Sequence, residues 1–281
     1  MYNHSFALIT GASEGLGKYL AIECAVRNIN LVLVALPGSR LKQLSQFIIK
    51  KYGVHVVCIE KDLSCEAGCA EVFAEVKAQG ISIYILINNA GIGGTFFFDQ
   101  RNTAYYSKVI ALNVVAPTVL SRLFLEDLKK SGSSFIMNVS SLAGMFQLPK
   151  KQVYCGTKSY LIAFSKSLRK ELKDQHISVS VLCPGGMNTS WQLTMDNRTT
   201  GTWISRQSIL YPQQVAAIAI KKMLAKKEII IPGLCNQLFL FLDRIIPKKL
   251  KNFLTAYQMN KTPQLVKGLG AMQPVPRMQT A

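Results

Sequence analysis

The stretch "FALITGASEGLG" (residues 6–17) decides the architecture. Its first five residues form a near-continuous apolar run, the pattern of a strand covered on both faces. From Thr10 the chain enters glycines at 11, 15 and 17, spaced G-x-x-x-G-x-G, and a helix-length periodic segment follows over 15–28. Glycines allow a tight turn and close backbone approach, and the start of the helix offers unpaired N–H groups to a phosphate. Any tight strand-to-helix turn favours glycine, so a plain turn is the alternative. The position of the motif after a first strand, in a chain that goes on alternating strand and helix, points to a dinucleotide.

Six further strands are predicted at 31–35, 54–60, 84–88, 134–140, 178–184 and 228–232. Between them lie predicted helices at 38–52, 65–79, 102–130, 152–174 and 212–226. This β-α-β-α order implies an α/β fold of the Rossmann type: a doubly wound parallel sheet with helices on both faces. No linker divides residues 1–232, which read as one catalytic, dinucleotide-binding domain, with a substrate loop at about 188–211. Residues 233–261 read as an amphipathic helical extension. Residues 262–281 are too rich in Gly, Pro and Gln to pack firmly and read as a flexible tail.

The 281 residues can bury a sizeable core, and 49% apolar against 17% charged residues is a globular balance. The net charge of +18 implies attraction to something anionic: a phosphorylated cofactor, an acyl-CoA, nucleic acid or an acidic membrane surface. The basic residues are scattered, without the block, stripe or motif of a nucleic-acid binder, so nucleic acid is not expected as a partner. Seven cysteines at irregular spacings and three separated histidines argue against a zinc site or disulfide framework, so no metal is expected. The sequence has no basic leader and no run of about 18 apolar residues, and a cytoplasmic location is expected, with peripheral membrane association as a variant.

In "VYCGTKSYL" (153–161), Tyr154 and Lys158 stand four residues apart, on one face of a helix. A free phenol titrates near pH ~10, and a neighbouring ammonium favours its ionised form. Such a pair can move a proton to or from a substrate oxygen. The pentapeptide alone is equally an exposed helix face carrying one aromatic and one solvated charge.

The wider pattern bears on that choice. "TGASEGLG", "NNAG" (88–91), Asn113 in "ALNVVAP", "NVSSLAG" (138–144), "YCGTK" (154–158) and "PGGMNT" (184–189) resemble, in order and spacing, the motifs of short-chain dehydrogenases/reductases. The resemblance spans residue 5 to about 232. It is nearest in flavour to members acting on apolar ketones, such as hydroxysteroid dehydrogenases and ketoacyl or ketosphinganine reductases. It implies a nicotinamide-dependent oxidoreductase working on CH–OH groups. Tyr154 would be the general acid or base, and Lys158 would lower the Tyr154 pKa and hold the nicotinamide ribose. Ser141 would position the substrate oxygen, with Ser140 the less suitable neighbour on spacing. Asn113 would hold a water linking Lys158 to solvent. The resemblance also implies that Gly11, Ser13, Glu14, Gly15, Leu16 and Gly17 surround the pyrophosphate and adenosine ribose. Asp62 would meet the adenine amino group, with Leu63 beside it; an acid complementing a helix dipole is the alternative for Asp62. Asn89, Ala90 and Gly91 would flank the adenosine, and Pro184, Gly185, Met187 and Thr189 the nicotinamide amide.

NAD-preferring relatives carry an Asp after the second strand, for the ribose 2′-hydroxyl. This chain has Leu36 there, with Ser39 and Arg40 the nearest groups able to meet a 2′-phosphate. Glu14 inside the glycine motif weighs the other way. NADP(H) is the favoured cofactor and NAD(H) the alternative. Phe96, Phe97, Phe98, Met145, Phe146, Leu148, Trp191, Leu193, Met195 and Trp203 are the candidate substrate walls, or else interface or lid packing. As walls they imply a bulky, apolar or lipid-like ketone or secondary alcohol. In the extension, Leu238, Phe239, Leu242, Ile245 and Ile246 form an apolar face followed by Arg244, Lys248, Lys249 and Lys251. A membrane surface, a pocket cover or a homo-oligomer contact (dimer or tetramer) would each suit it. The other function considered is a catalytically idle NADP(H)-binding sensor or scaffold.

Overall fold

The computed structural model describes residues 5–187 and 209–245. The chain divides into two units, Met1–Gln237 and Leu238–Ala281, so the division lies five residues beyond the expected end of the first domain at 232.

In the first unit, seven strands form one parallel sheet: β1 (Ser5–Thr10), β2 (Asn30–Ala35), β3 (Val56–Glu60), β4 (Ser82–Asn88), β5 (Ser134–Val139), β6 (Ile177–Leu182) and β7 (Ile229–Ile230). Their order is β3-β2-β1-β4-β5-β6-β7. The order reverses at β1, which pairs with β2 on one side and β4 on the other. Such a reversal opens a crevice beyond the carboxyl ends of the two strands. β1 ends in the glycine turn there, and β4 ends in "NNAG".

Because successive side chains point to opposite faces, each strand feeds two cores. Ala7, Ile9, Leu31, Leu33, Ile85 and Ile87 pack on one side with helices α1 (Gly15–Ala25) and α2 (Leu41–Tyr52). On the other side Leu8, Val32, Val34, Ile83 and Ile136 pack with α3 (Glu66–Ala78) and with Phe124, a fully buried ring. The double burial explains why the strands read as unbroken Val/Ile/Leu runs rather than alternating ones.

The expected single helix at 102–130 is broken into pieces. It consists of α4 (Thr103–Ile110), a π turn at Ala111–Val115, α5 (Ala116–Leu123) and α6 (Leu125–Lys130). In the π turn the Ala116 N–H reaches back five residues to the Ala111 carbonyl. Pro117 follows immediately and has no N–H to continue the regular ladder. The remaining helices of the described chain are α7 (Gln152–Glu171), α8 (Pro212–Leu224) and α9 (Leu234–Ile245). α2 starts at Leu41 rather than 38, because Pro37 and Gly38 (φ +73°) form the turn before it.

Candidate active site

The site is assembled from four segments at the carboxyl ends of β1, β4, β5 and β6. The turn after β1 is locked to the turn after β4. Thr10 Oγ1 accepts from the backbone N–H groups of Asn89 and Ala90, each at 3.0 Å, and Asn89 Nδ2 donates to the carbonyls of Thr10 (2.9 Å) and Gly11 (3.1 Å). Asn89 therefore holds the floor of the crevice together with its side chain. Gly11 has φ +63°, and a Cβ on it would come within 2.9 Å of Ala90 Cα. A Cβ on Gly17 would lie 2.1 Å from the Gly11 carbonyl oxygen, so only glycine lets α1 start this close to the turn. Glu14 is the N-cap of α1, but its side chain makes no cap bond, and the first turn of the helix carries no acid. Exposed backbone donors beside a glycine floor fit a pyrophosphate.

The turn after β2 is more open. Leu36 is 52% exposed, and Arg40 is exposed at the N-cap of α2 without a side-chain cap bond. Ser39 Oγ is buried and has no hydrogen-bond partner among the described residues. After β3, Asp62 Oδ1 accepts from the Ser64 N–H at 2.9 Å, and Oδ2 lies 3.6 Å from Lys108 Nζ. The Ser64 bond and then Lys108 hold the Asp62 carboxyl below its ordinary range against a smaller opposing effect of burial. Asp62 thus caps a turn ahead of α3, whose own N-cap is Cys65. Leu63 and Leu16 are buried core residues.

β5 delivers the next group. Ser141, two residues beyond its end, accepts from the Ala143 N–H at 3.1 Å and lies close enough to the Tyr154 phenol to draw its pKa down. Ser140 is buried and donates to the Lys158 carbonyl at 2.7 Å, which ties β5 to α7 and leaves Ser141 as the one facing Tyr154. Lys158 is also buried, and its Nζ donates to the Val139 carbonyl at 2.9 Å. Burial lowers its pKa from 10.5 to about 8, with Cys183 opposing.

The expected depression of the Tyr154 pKa by Lys158 is absent from this arrangement. Burial pushes the phenol above its ordinary 10.0, and only the Ser141 hydroxyl pulls it down. The physical reason is geometric: Lys158 Nζ is engaged with Val139 and lies 5.7 Å from the centre of the Tyr154 ring.

Asn113 sits in the π turn, buried, and bonds Ile92 twice. Its Oδ1 accepts from the Ile92 N–H and its Nδ2 donates to the Ile92 carbonyl, both at 2.9 Å. The same Nδ2 donates to Thr157 Oγ1 at 3.1 Å, and that hydroxyl donates to the Tyr154 carbonyl at 2.8 Å. A Cβ on Gly91 would lie 3.0 Å from Asn113 Oδ1 and 3.3 Å from Lys158 Nζ, so Gly91, Asn113 and Lys158 meet at one point. From β6, the Pro184 carbonyl accepts from the Leu142 N–H, Gly185 abuts the Asn236 side chain, and Met187 bridges to Leu210. Thr189 lies outside the described residues, as do Trp191, Leu193, Met195 and Trp203.

Several participants stand inside the quoted motifs, where the sequence assigns them no role: Thr10, Thr157, the Val139 carbonyl, and Asn88 and Asn138 of a buried polar ladder. In the ladder Asn88 Nδ2 donates to Asn138 Oδ1 (2.8 Å), and Asn138 Nδ2 donates to Ser165 Oγ (2.9 Å). Beyond the motifs themselves, the usable signal was polar residues inside or ending otherwise apolar strands, as at Thr10, Asn88 and Asn138. Beside Tyr154 runs a cleft lined by Gly93, Gly94, Phe96, Tyr105, Tyr106, Val109 and residues 150–153. Of the candidate walls among the described residues, only Phe96 lines it; Phe97, Phe98 and Leu148 are exposed. Among the described residues no three His, Cys, Asp or Glu side chains are gathered as for a metal, and no helix is long and apolar enough to cross a membrane.

A family model described as short chain dehydrogenase matches residues 5–199. An NADP-dependent 3-hydroxy acid dehydrogenase of Schizosaccharomyces pombe is 29% identical over 229 residues, covering 80% of this chain and 88% of that protein. A very-long-chain 3-oxoacyl-CoA reductase of Bos taurus is 30% identical over 187 residues, which are 64% of this chain and 58% of the relative's length. Among solved structures, the bulky-bulky ketone specific alcohol dehydrogenase of Comamonas testosteroni superposes with a TM-score of 0.71 at 26% identity, covering 98% of this chain and 96% of that one.

Proposed function

The chain belongs to the short-chain dehydrogenase family, the NAD(P)-dependent oxidoreductases acting on CH–OH groups, and from that premise we propose that it interconverts a bulky, apolar ketone and its secondary alcohol with NADP(H). The observation that carries the reading is the convergence of Ser141, Tyr154 and Lys158 beside a glycine floor at the sheet's topological switch point.

The residues present fit a dinucleotide. The Gly11–Gly17 turn and the uncapped start of α1 suit the pyrophosphate, Gly91 leaves room beside Lys158, and the unpartnered Ser39 hydroxyl with Arg40 suits a 2′-phosphate. The nicotinamide, when bound, supplies or takes the hydride. Tyr154 gives a proton to the substrate oxygen in the reducing direction and removes it in the other. Ser141 holds that oxygen by hydrogen bonding as charge develops on it. A ligand hydroxyl that draws the Lys158 ammonium away from Val139 moves positive charge toward the phenol and lowers its pKa. Asn113 and Thr157 hold the backbone around both groups. Leu36 in place of a carboxylate, and the NADP dependence in the name of the S. pombe relative, support NADP(H) over NAD(H). The aromatic cleft and the Comamonas relative's bulky ketones support a large substrate.

Residues 1–232 then serve as the catalytic domain and 233–261 as an amphipathic extension. Exposed Leu234, Leu238, Phe241 and Leu242 on α9 support an oligomer contact or peripheral attachment to a membrane. Seven unpaired thiols support a reducing, cytoplasmic setting. The test is nicotinamide absorbance with a panel of bulky ketones, NADPH and NADH, run against Tyr154→Phe. Reduction that survives that substitution removes Tyr154 from its role.

A further inference from the structure

The cleft beside Tyr154 combines aromatic walls with unpaired positive charge. Phe96 and Tyr105 meet edge to face at 5.9 Å, and Tyr105 and Tyr106 at 5.6 Å. Tyr106 is fixed by donating its hydroxyl to the Phe98 carbonyl at 2.8 Å. The floor is cut to the rings. A Cβ on Gly93 would lie 2.6 Å from the Tyr154 ring, and one on Gly94 would lie 2.0 Å from the Phe96 ring.

Lys150 and Lys151 line the same cleft, and among the described residues no Asp or Glu does. Arg101 stacks on Phe96, with its guanidinium carbon 3.8 Å from the ring centre. Five ion pairs occur among the described residues, and none includes Arg101, Lys150 or Lys151. Asp99, the acid adjoining this wall in sequence, is in none of them either. Lys150 is held at φ +65°, where a non-glycine residue is strained, and its carbonyl accepts from the Phe96 N–H at 2.8 Å. The bond couples the lysine's placement to the aromatic wall. The Lys150 ammonium rests 4.4 Å from the centre of the Phe97 ring. Three cations without a counter-charge among the described residues present a local positive potential beside the reacting phenol.

We propose that the substrate is an anionic ketone: an apolar body laid along the open cleft against the packed rings of Phe96, Tyr105 and Tyr106, bearing a carboxylate that meets Lys150 and Lys151. This rests on the carbonyl-reductase reading and narrows it, since cations at the cleft select among ketones by charge.

The probes are 4-oxo-4-phenylbutanoate and its methyl ester, which share a ketone and an aromatic body and differ in charge. With the NADPH-loaded full-length protein, the acid should bind at least tenfold tighter than the ester by calorimetry. Raising salt from 0.05 to 0.5 M should weaken the acid and leave the ester unchanged. Lys151→Gln, and Lys150→Asn, which suits the left-handed conformation, should each lower the acid-to-ester ratio of kcat/KM several-fold. Equal binding of acid and ester, or an acid affinity indifferent to salt in the wild type, overturns the proposal even if both variants misfold. Turnover of the ester alone overturns the proposal and keeps the reductase reading. Tight, salt-sensitive binding of the acid without turnover of either compound supports the anion site and removes the reductase reading.

Discussion

Around Tyr154 and Lys158 the polar groups are buried and held by protein partners, whereas at the end of β2 the side chains of Ser39 and Arg40 have none among the described residues. Both regions border the same crevice. The first must hold a proton donor, a hydroxyl and an ammonium in fixed relation, because proton transfer is lost over small displacements. On the proposed function the second would discriminate between two cofactors by adding or removing a charge, which exposed Leu36 and Arg40 allow without disturbing a core. Reaction type, on that proposal, rests on the saturated region and cofactor choice on the open one.

The largest effect expected is from Tyr154→Phe, which removes the transferable proton and leaves the ring on its Gly93 floor. Turnover should fall by about 10²–10⁴-fold while NADPH affinity, measured by fluorescence titration, stays within about twofold. Equal losses in turnover and in binding would erase the division between the two regions.

Next is the buried ammonium. Lys158 has a folded pKa of about 8 against its ordinary 10.5, so below pH 8 it is charged in both states and its burial opposes folding. Between those values the unfolded chain holds a proton that the folded chain has released, so unfolding takes up a proton and is opposed as pH rises. The Lys158 contribution to the stability of the cofactor-free protein should therefore rise from pH 8 to 10.5 by roughly 3 kcal/mol. The buried thiols of Cys24 and Cys183, held at about 12, pull the total the other way above pH 9.0, so the Lys158 share is read as the difference in slope between wild type and Lys158→Met. Guanidinium chloride unfolding at pH 7.5 and 10 measures it; a slope identical in both proteins places the ammonium in water.

Thr157→Val should cost about 1–3 kcal/mol by leaving the Asn113 amide without that partner. It should also lower kcat more than it raises KM. Thr157→Ser should restore both, because the hydroxyl and not the methyl makes the two bonds. If serine fails to rescue, packing rather than orientation explains the residue.

The smallest effect belongs to the open region. Leu36→Asp should move the NADH-to-NADPH ratio of kcat/KM about tenfold toward NADH, since a carboxylate there accepts from a 2′-hydroxyl and repels a 2′-phosphate. Stability should be unchanged at a position 52% exposed. An unmoved ratio would put the adenosine ribose elsewhere.

Legibility follows from how local each cause is. The strands were readable because burial on both faces leaves an apolar run that neighbouring residues alone disclose, and "TGASEGLG" because a positive φ at Gly11 and a contact of 2.1 Å from a Cβ at Gly17 admit one residue type. Tyr154 and Lys158 were singled out by helical spacing, which puts both on one face but suits an exposed helix as well, together with the six ordered motifs that resemble short-chain dehydrogenases/reductases. By itself, the sequence determined the parallel α/β fold, the glycine turn and the order in which these groups arrive. Tertiary structure alone decided the rest. The π turn depends on Asn113 finding Ile92, 21 residues away, and the engagement of Lys158 depends on a carbonyl 19 residues distant. The aromatic cleft joins residues 93–109 to residues 150–154. Hydrogen bonds and desolvation act between groups that meet only after the sheet has formed, and no periodicity in the chain records which groups those will be.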